Sequence, residues 1–193
     1  KIDSELGLSA YSTCFSGVYG KIKQSSDDFT VREVLSDKVL STISDTRGLA
    51  VYVLRKNGID TRHALLDVEK RFGLVLKSFG LKDAYAITEQ YVQAKYISKS
   101  LENIQRKNYS LERLGFTKEP ISKRDMLGNK FTIKISEVSG SISNFHEYEK
   151  ILNFFGYQRF GSKRPITHLV GKAIIQKNYQ KAIDFLLNYS SKY

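Results

Sequence analysis

Asp28-Phe29-Thr30-Val31-Arg32-Glu33-Val34-Leu35 alternates apolar and polar side chains, and Phe131-Thr132-Ile133-Lys134-Ile135-Ser136-Glu137-Val138 does so again far along the chain. A period of two puts the apolar set on one face of a half-buried strand. Between them, Gly48 to Leu54 (GLAVYVL) is a continuous apolar, β-branched run that predicts a buried strand, broken by Asn57-Gly58. Asp60 or Thr61 can then cap a helix with Leu65, Val68 and Phe72 on its face, and Gly73 can end it. Residues 88–97 (TEQYVQAKYI) read as extended, and Gly128-Asn129 reads as the turn before the second alternating stretch. Ser143 or Asn144 can open a helix carrying Phe145, Tyr148, Ile151, Leu152 and Phe155. Residues 166–176 and 179–189 read as two helices broken at Lys177-Asn178, with Thr167 placed to cap the first. Strands mixed with helices, then helices alone, predict an α+β core up to about residue 153 and a helical segment after it.

Composition bounds the rest. The chain has 193 residues, 41% of them apolar and 12% aromatic, which supports a packed core and excludes a disordered chain. Cys14 is the single cysteine, so no intramolecular disulfide and no Cys₄ or Cys₂His₂ zinc site can form, and a cytoplasmic protein is expected. No apolar run approaches the roughly 18–20 residues of a membrane span, and Lys1-Ile2-Asp3-Ser4-Glu5 has no secretory character. The one methionine is Met126, so the chain does not start at an initiator.

The net charge is +11, and it is uneven. Residues 150–193 hold eight lysines and arginines against Asp184 alone, and residues 95–135 hold ten against four acids. Basic stretches interleaved with tyrosine and phenylalanine suit a nucleic acid partner: cations release counterions from phosphates, and rings stack on unpaired bases. A solubility charge is the plainer reading of the same numbers.

Three segments can carry chemistry. In Gly80-Leu81-Lys82-Asp83-Ala84-Tyr85, a carboxylate sits on a loop at the mouth of the next strand, where it can act as nucleophile or base, with Lys82 beside it to hold it ionised. An aspartate on a polar loop is more often a solvated turn residue. In Gly128-Asn129-Lys130-Phe131, an amide can bond a base edge or orient a carboxylate, and Phe131 shares its strand face. A turn asparagine followed by a core phenylalanine is the plainer alternative. In residues 153–171, glycines, aromatics, Arg159, Lys163 and Arg164 make a phosphate-gripping loop plausible. His63, His146 and His168 stand alone in sequence, with no metal-ligand spacing, and neither nucleotide-loop glycine motif is present.

Taken together and in order, these segments resemble the TruD family of tRNA pseudouridine synthases over nearly the whole chain. Lys23 stands before Asp28-Phe29-x-Val31-x-Glu33 as in the family's opening motif, and Asn57-Gly58 with Thr61-Arg62 matches the next. GLKDAYAITEQ (80–90) is similar to the family's signature segment and places its catalytic aspartate at Asp83. GNKFTI (128–133) carries the family's active-site pair at Asn129 and Phe131, and NFFGYQRFG (153–161) departs from the usual motif only with Phe154 in place of Tyr. RPITHLVGKAI (164–174) looks like the archaeal and eukaryotic branch.

The resemblance implies isomerisation of uridine to pseudouridine in RNA, at uridine 13 of the tRNA D-arm, without cofactor, metal or membrane. It implies Asp83 as nucleophile or 2′-proton base, Phe131 stacked on a flipped uracil, and Asn129, Lys23 and Glu33 as further members of the cleft. Lys82, Arg159, Lys163 and Arg164 would face RNA phosphates. It also implies a pseudouridine-synthase catalytic fold with a mixed, mainly antiparallel sheet and flanking helices. Residues 1–152 would be the first part of that domain and 153–193 the opening helices of the family's insertion domain. Strands that complete the sheet in relatives would be missing, which predicts an exposed apolar edge. Two alternatives remain: an RNA-binding fragment or homologue without catalysis, and an acidic-surface or ribosome-associated interaction protein that uses charge alone.

Overall fold

The computed structural model describes residues 6–8, 13–15, 17–97, 101–143, 145, 148–151, 156, 159–161 and 164–189. The chain divides into two compact units, one of residues 18–140 and one of residues 1–17 with 141–193.

The first unit is an α+β sheet structure. Its strands are β1 (Lys21–Ile22), β2 (Phe29–Leu35), β3 (Leu49–Lys56), β4 (Leu76–Ser78), β5 (Ile87–Ala94), β6 (Asn103–Gln105), β7 (Tyr109–Thr117), β8 (Met126–Ile133) and β9 (Ile135–Ser136). Seven of them form one sheet in the order β6-β7-β3-β5-β2-β8, with β4 also on β5, while β1 and β9 make a separate antiparallel pair. The β2–β5 pair is parallel and every other pair is antiparallel. β3, the apolar run predicted to be buried, lies inside the sheet, with Val51, Tyr52, Val53 and Leu54 enclosed.

The helix Thr61–Phe72 starts on Asp60, whose carboxylate accepts the His63 N–H, and ends on Gly73 in the left-handed region at φ 67°. The predicted caps are therefore the real ones. The buried face overlaps the predicted one only in part. Thr61, Ala64 and Val68 are enclosed, Leu65 is half-buried and Phe72 is exposed. Small residues let the helix lie close against Leu76, Val92 and Leu111 of the sheet, and a pattern drawn from large apolar residues passes over them. His63 is not alone either, since its Nδ1 meets the Asp60 carboxylate.

Gly128-Asn129 is not a turn. Both residues lie within β8, which pairs with β2 from Phe29↔Ile133 to Leu35↔Met126. A bulge between Val34 and Leu35 leaves Leu127 over, and Gly128 takes φ 152°. A pairing partner as long as β2 overrides the local turn preference of Gly-Asn. The second alternating stretch accordingly splits at Lys134, with β8 on one side and β9 on the other. β8 ends the sheet, and Leu127, Phe131 and Ile133 are exposed along it, as expected of an uncovered edge.

In the second unit, helices Thr167–Ile175 and Tyr179–Asn188 pack as the predicted pair. Lys177 takes φ 57° and Asn178 caps the second helix by accepting the Lys181 N–H. Thr167 is the first helical residue rather than a cap; Ile166 holds the cap position. The helix predicted from Ser143 falls largely outside the described residues, and Phe145 and Tyr148 to Ile151 are not helical. No described helix is long and apolar enough to cross a membrane.

Candidate active site

The site begins with a split in the sheet. β2 pairs with β5 only from Thr30↔Ile87 to Arg32↔Glu89, and β4 takes over from Ser78↔Val92 to Leu76↔Ala94. Between these ladders the Tyr91 N–H has no strand opposite it. Glu33, just past the last β2–β5 pair, fills the gap: its Oε2 accepts that N–H at 2.9 Å, and its Oε1 takes the Lys82 ammonium at 2.5 Å. Gly80 lies against this pair. A Cβ there would stand 3.3 Å from Lys82 Nζ and 3.4 Å from Glu33 Oε1, a tight fit that a small shift of the flexible Lys82 end would relieve.

The loop carrying Asp83 crosses the split and is tied down through its main chain. Lys56 Nζ donates to the carbonyls of Ile59 (2.9 Å), Lys82 (3.1 Å) and Asp83 (2.7 Å). Thr61 Oγ1 accepts the Lys82 N–H at 3.0 Å and donates to Gln90 Oε1 at 2.7 Å, while Gln90 Nε2 donates to the Gly80 carbonyl at 3.2 Å. The Gly58 N–H donates to the Ala84 carbonyl, and Tyr85 Oη donates to the Gln24 carbonyl at 3.0 Å. Burial pushes the Lys56 ammonium down to about 8, against the pull of Asp60 and Asp83. The three accepting carbonyls also favour its charged form.

With its main chain fixed, the Asp83 carboxylate itself is 84% exposed. Lys82, expected to hold it ionised, is turned onto Glu33. The cation that stands beside Asp83 is Lys23, whose Nζ is 3.9 Å from Oδ2. Lys23 sits at φ 57°, and its ammonium also lies 3.9 Å above the centre of the Phe29 ring. Phe29 meets Phe131 edge-on at 6.0 Å between ring centres. The register places Phe131 opposite Val31 and Asn129 opposite Glu33, so Phe29, Val31 and Glu33 share a sheet face with Asn129 and Phe131.

The fold thus joins Asp83, Lys23, Phe29 and Phe131 in one chain of contacts. It sets Glu33 and Lys82 at the split, with Asn129 opposite Glu33 on β8. Phe29, Lys56, Thr61 and Gln90 join the site beyond the residues the sequence motifs mark. The first was readable as an aromatic two positions before Val31, on the same face. The other three act through contacts distant in sequence that no local pattern signals. Among the described residues, no cluster of His, Cys, Asp or Glu could hold a metal ion.

The match to known proteins covers this whole arrangement. Residues 5–193 fit the family described as tRNA pseudouridine synthase D (TruD). The chain belongs to the TruD family. A Methanosarcina barkeri relative named "Probable tRNA pseudouridine synthase D" is 32% identical over 197 residues, spanning 94% of this chain and 44% of its own. One of the same name from Sulfurisphaera tokodaii is 37% identical over 150 residues, 72% of this chain and 39% of its own. The crystal structure of a TruD protein from Methanosarcina mazei aligns with a TM-score of 0.72 at 28% identity, over 93% of this chain and 44% of that one. The chain therefore spans less than half the length of the TruD relatives it matches.

Of the basic residues expected to face RNA, Lys163 lies outside the described residues, as does most of the 153–161 segment. Arg159 is exposed in the second unit. Arg164, also there, donates from Nη2 to the carbonyls of Phe185 (3.2 Å) and Leu186 (2.9 Å) near the end of the last helix.

Proposed function

We propose that this chain carries the catalytic aspartate of a tRNA pseudouridine synthase, an RNA isomerase acting in the cytoplasm on uridine 13 of the tRNA D-arm. The observation that supports this most directly is the exposed Asp83 carboxylate on a main-chain-anchored loop, with Lys23 and the Phe29–Phe131 ring pair beside it. The target nucleotide leaves the helical stack, since its C1′ and C5 are inaccessible there. Phe131, 55% exposed, offers its ring to the extruded uracil, and the Asn129 amide can bond the base edge. Asp83 acts at the ribose as nucleophile on C1′ or as base toward the 2′ proton. The C1′–N1 bond breaks, the uracil turns, C5 bonds to C1′, and the C5 proton is lost as N1 gains one. No metal or cofactor enters this scheme. Glu33 and Lys82 shape the split in this reading, and Arg159, Lys163 and Arg164 contribute to gripping tRNA.

Residues 1–152 are proposed as the first part of the catalytic domain and 153–193 as the opening of the insertion domain. Asp83→Asn in the intact protein should abolish pseudouridine formation on a tRNA transcript while leaving tRNA binding in place; retained turnover overturns the reading. A second reading, RNA binding without catalysis by these 193 residues alone, is favoured by the uncovered β8 edge and by the 44% span of the relatives. Isomerisation by the 193-residue chain itself decides against it.

A further inference from the structure

We infer that Lys56, together with Thr61, is a positioning clamp for Asp83: the buried ammonium and the hydroxyl fix the main chain of the aspartate loop against the sheet. This rests on the reading of Asp83 as the catalytic carboxylate. Lys56 ends β3, opposite Thr88 on β5 and Tyr109 on β7, so it rises from the floor of the sheet directly under the loop. It is 3% exposed, and no carboxylate lies within ion-pair distance of it among the described contacts. Burying an ammonium without a paired carboxylate is costly, and an apolar side chain would fill the same place more cheaply. What the ammonium provides is three N–H groups, and all three go to main-chain carbonyls, two of them in the aspartate loop.

The geometry links directly to the reacting group. The Asp83 carbonyl is held at 2.7 Å, and the Lys82 N–H on the other side of the same residue pair is held by Thr61 at 3.0 Å. Between that anchored backbone and the exposed carboxylate lie only the two side-chain torsions of Asp83. The charged groups around Lys56 are Asp60 and Asp83, which attract it, and Lys82, which repels it. None of them replaces the carbonyls as a hydrogen-bond partner.

The test uses Lys56→Met and Thr61→Val in the intact protein, with Asp83→Ala in parallel. Lys56→Met keeps the length of the side chain and removes all three donors. Displacing a catalytic group by about 1 Å lowers turnover on the order of 100-fold, so kcat should fall by roughly that factor with KM for tRNA unchanged. Thr61→Val should lower kcat in the same way. In Lys56→Ala, propylammonium, which restores the missing carbons and the ammonium, should recover part of kcat, and 1-propanol should not. A folded Lys56→Met with wild-type kcat overturns the clamp. If Lys56→Met loses its cooperative thermal transition, Thr61→Val decides, and wild-type kcat there overturns the clamp. Turnover by Asp83→Ala overturns the underlying reading instead, whereas an inactive Asp83→Ala beside fully active clamp variants removes the clamp alone.

Discussion

The Lys82 ammonium lies 2.5 Å from Glu33 Oε1, and the two side chains are only 10% and 3% exposed. The pair sits where β5 changes partners from β2 to β4, so it closes a split that strand pairing leaves open. It also draws Lys82 away from Asp83, beside which the Lys23 ammonium stands instead. Removing one partner strands a buried charge, which typically costs about 3–5 kcal/mol. Glu33→Gln and Lys82→Met should each lower stability by that order. The double variant should recover most of the loss, and urea unfolding of all four proteins measures the coupling.

Lys23 and Asp83 form the opposite kind of pair. They are 3.9 Å apart with the carboxylate largely in solvent, so their mutual attraction contributes about 0–1 kcal/mol to folding. Lys23→Ala should leave the urea midpoint nearly unchanged. If the ammonium stabilises charge at Asp83 during turnover by a similar amount, kcat/KM falls by up to about 5-fold. Steady-state kinetics on a tRNA transcript, beside the unfolding curve, separates the two effects.

Legibility in the sequence followed the range of the interactions. β2, β3 and the capped helix Thr61–Phe72 were readable because alternation, an apolar run and cap residues are local signals. Gly128-Asn129 misled because a turn dipeptide says nothing of a long strand waiting to pair with it. β7 has no clean alternation, with Gly115 inside it at φ 148°, so residues 109–117 carry no local strand signal. At the site, Asp83, Lys23 and Phe131 came from ordered motifs and are linked by contacts through Phe29, while Asn129 is placed only by its register on β8. The Lys82–Glu33 pair and the Lys56 and Thr61 bonds span 49, 27 and 21 residues, so only the folded chain reveals them.

Two groups of shifts give stability a defined pH dependence. The Ser25 N–H bound to the Asp28 carboxylate, and the Arg71 side chain on Asp67, hold both acids below the usual 3.8. Their contribution is present above that value and is lost as pH falls through the lower folded values. Lys56 acts at the other end. Its folded value of about 8 lies below the ordinary 10.5, so the unfolded chain holds more protons between them and stability rises above pH 8. Tyr109, buried and donating to Asp67, is pushed up to about 12, so its ionisation in the unfolded chain lowers stability above pH 10. Urea midpoints should therefore climb from pH 8 to about 10 and then fall, and Lys56→Met should flatten the climb.

Phe131 separates binding from folding most sharply. It lies on the edge strand β8, 55% exposed, and its described ring contact is with Phe29. Phe131→Ala therefore removes little buried area and should shift the unfolding midpoint only slightly. Stacking of a base on an aromatic side chain contributes about 1–3 kcal/mol, so the same change should lower kcat/KM for tRNA by about 5- to 150-fold. Phe131→Tyr keeps the ring and should retain most activity, whereas Phe131→Leu keeps apolar bulk without a π-face and should behave like alanine. If leucine matches phenylalanine in turnover, Phe131 serves packing against Phe29 and not the flipped base.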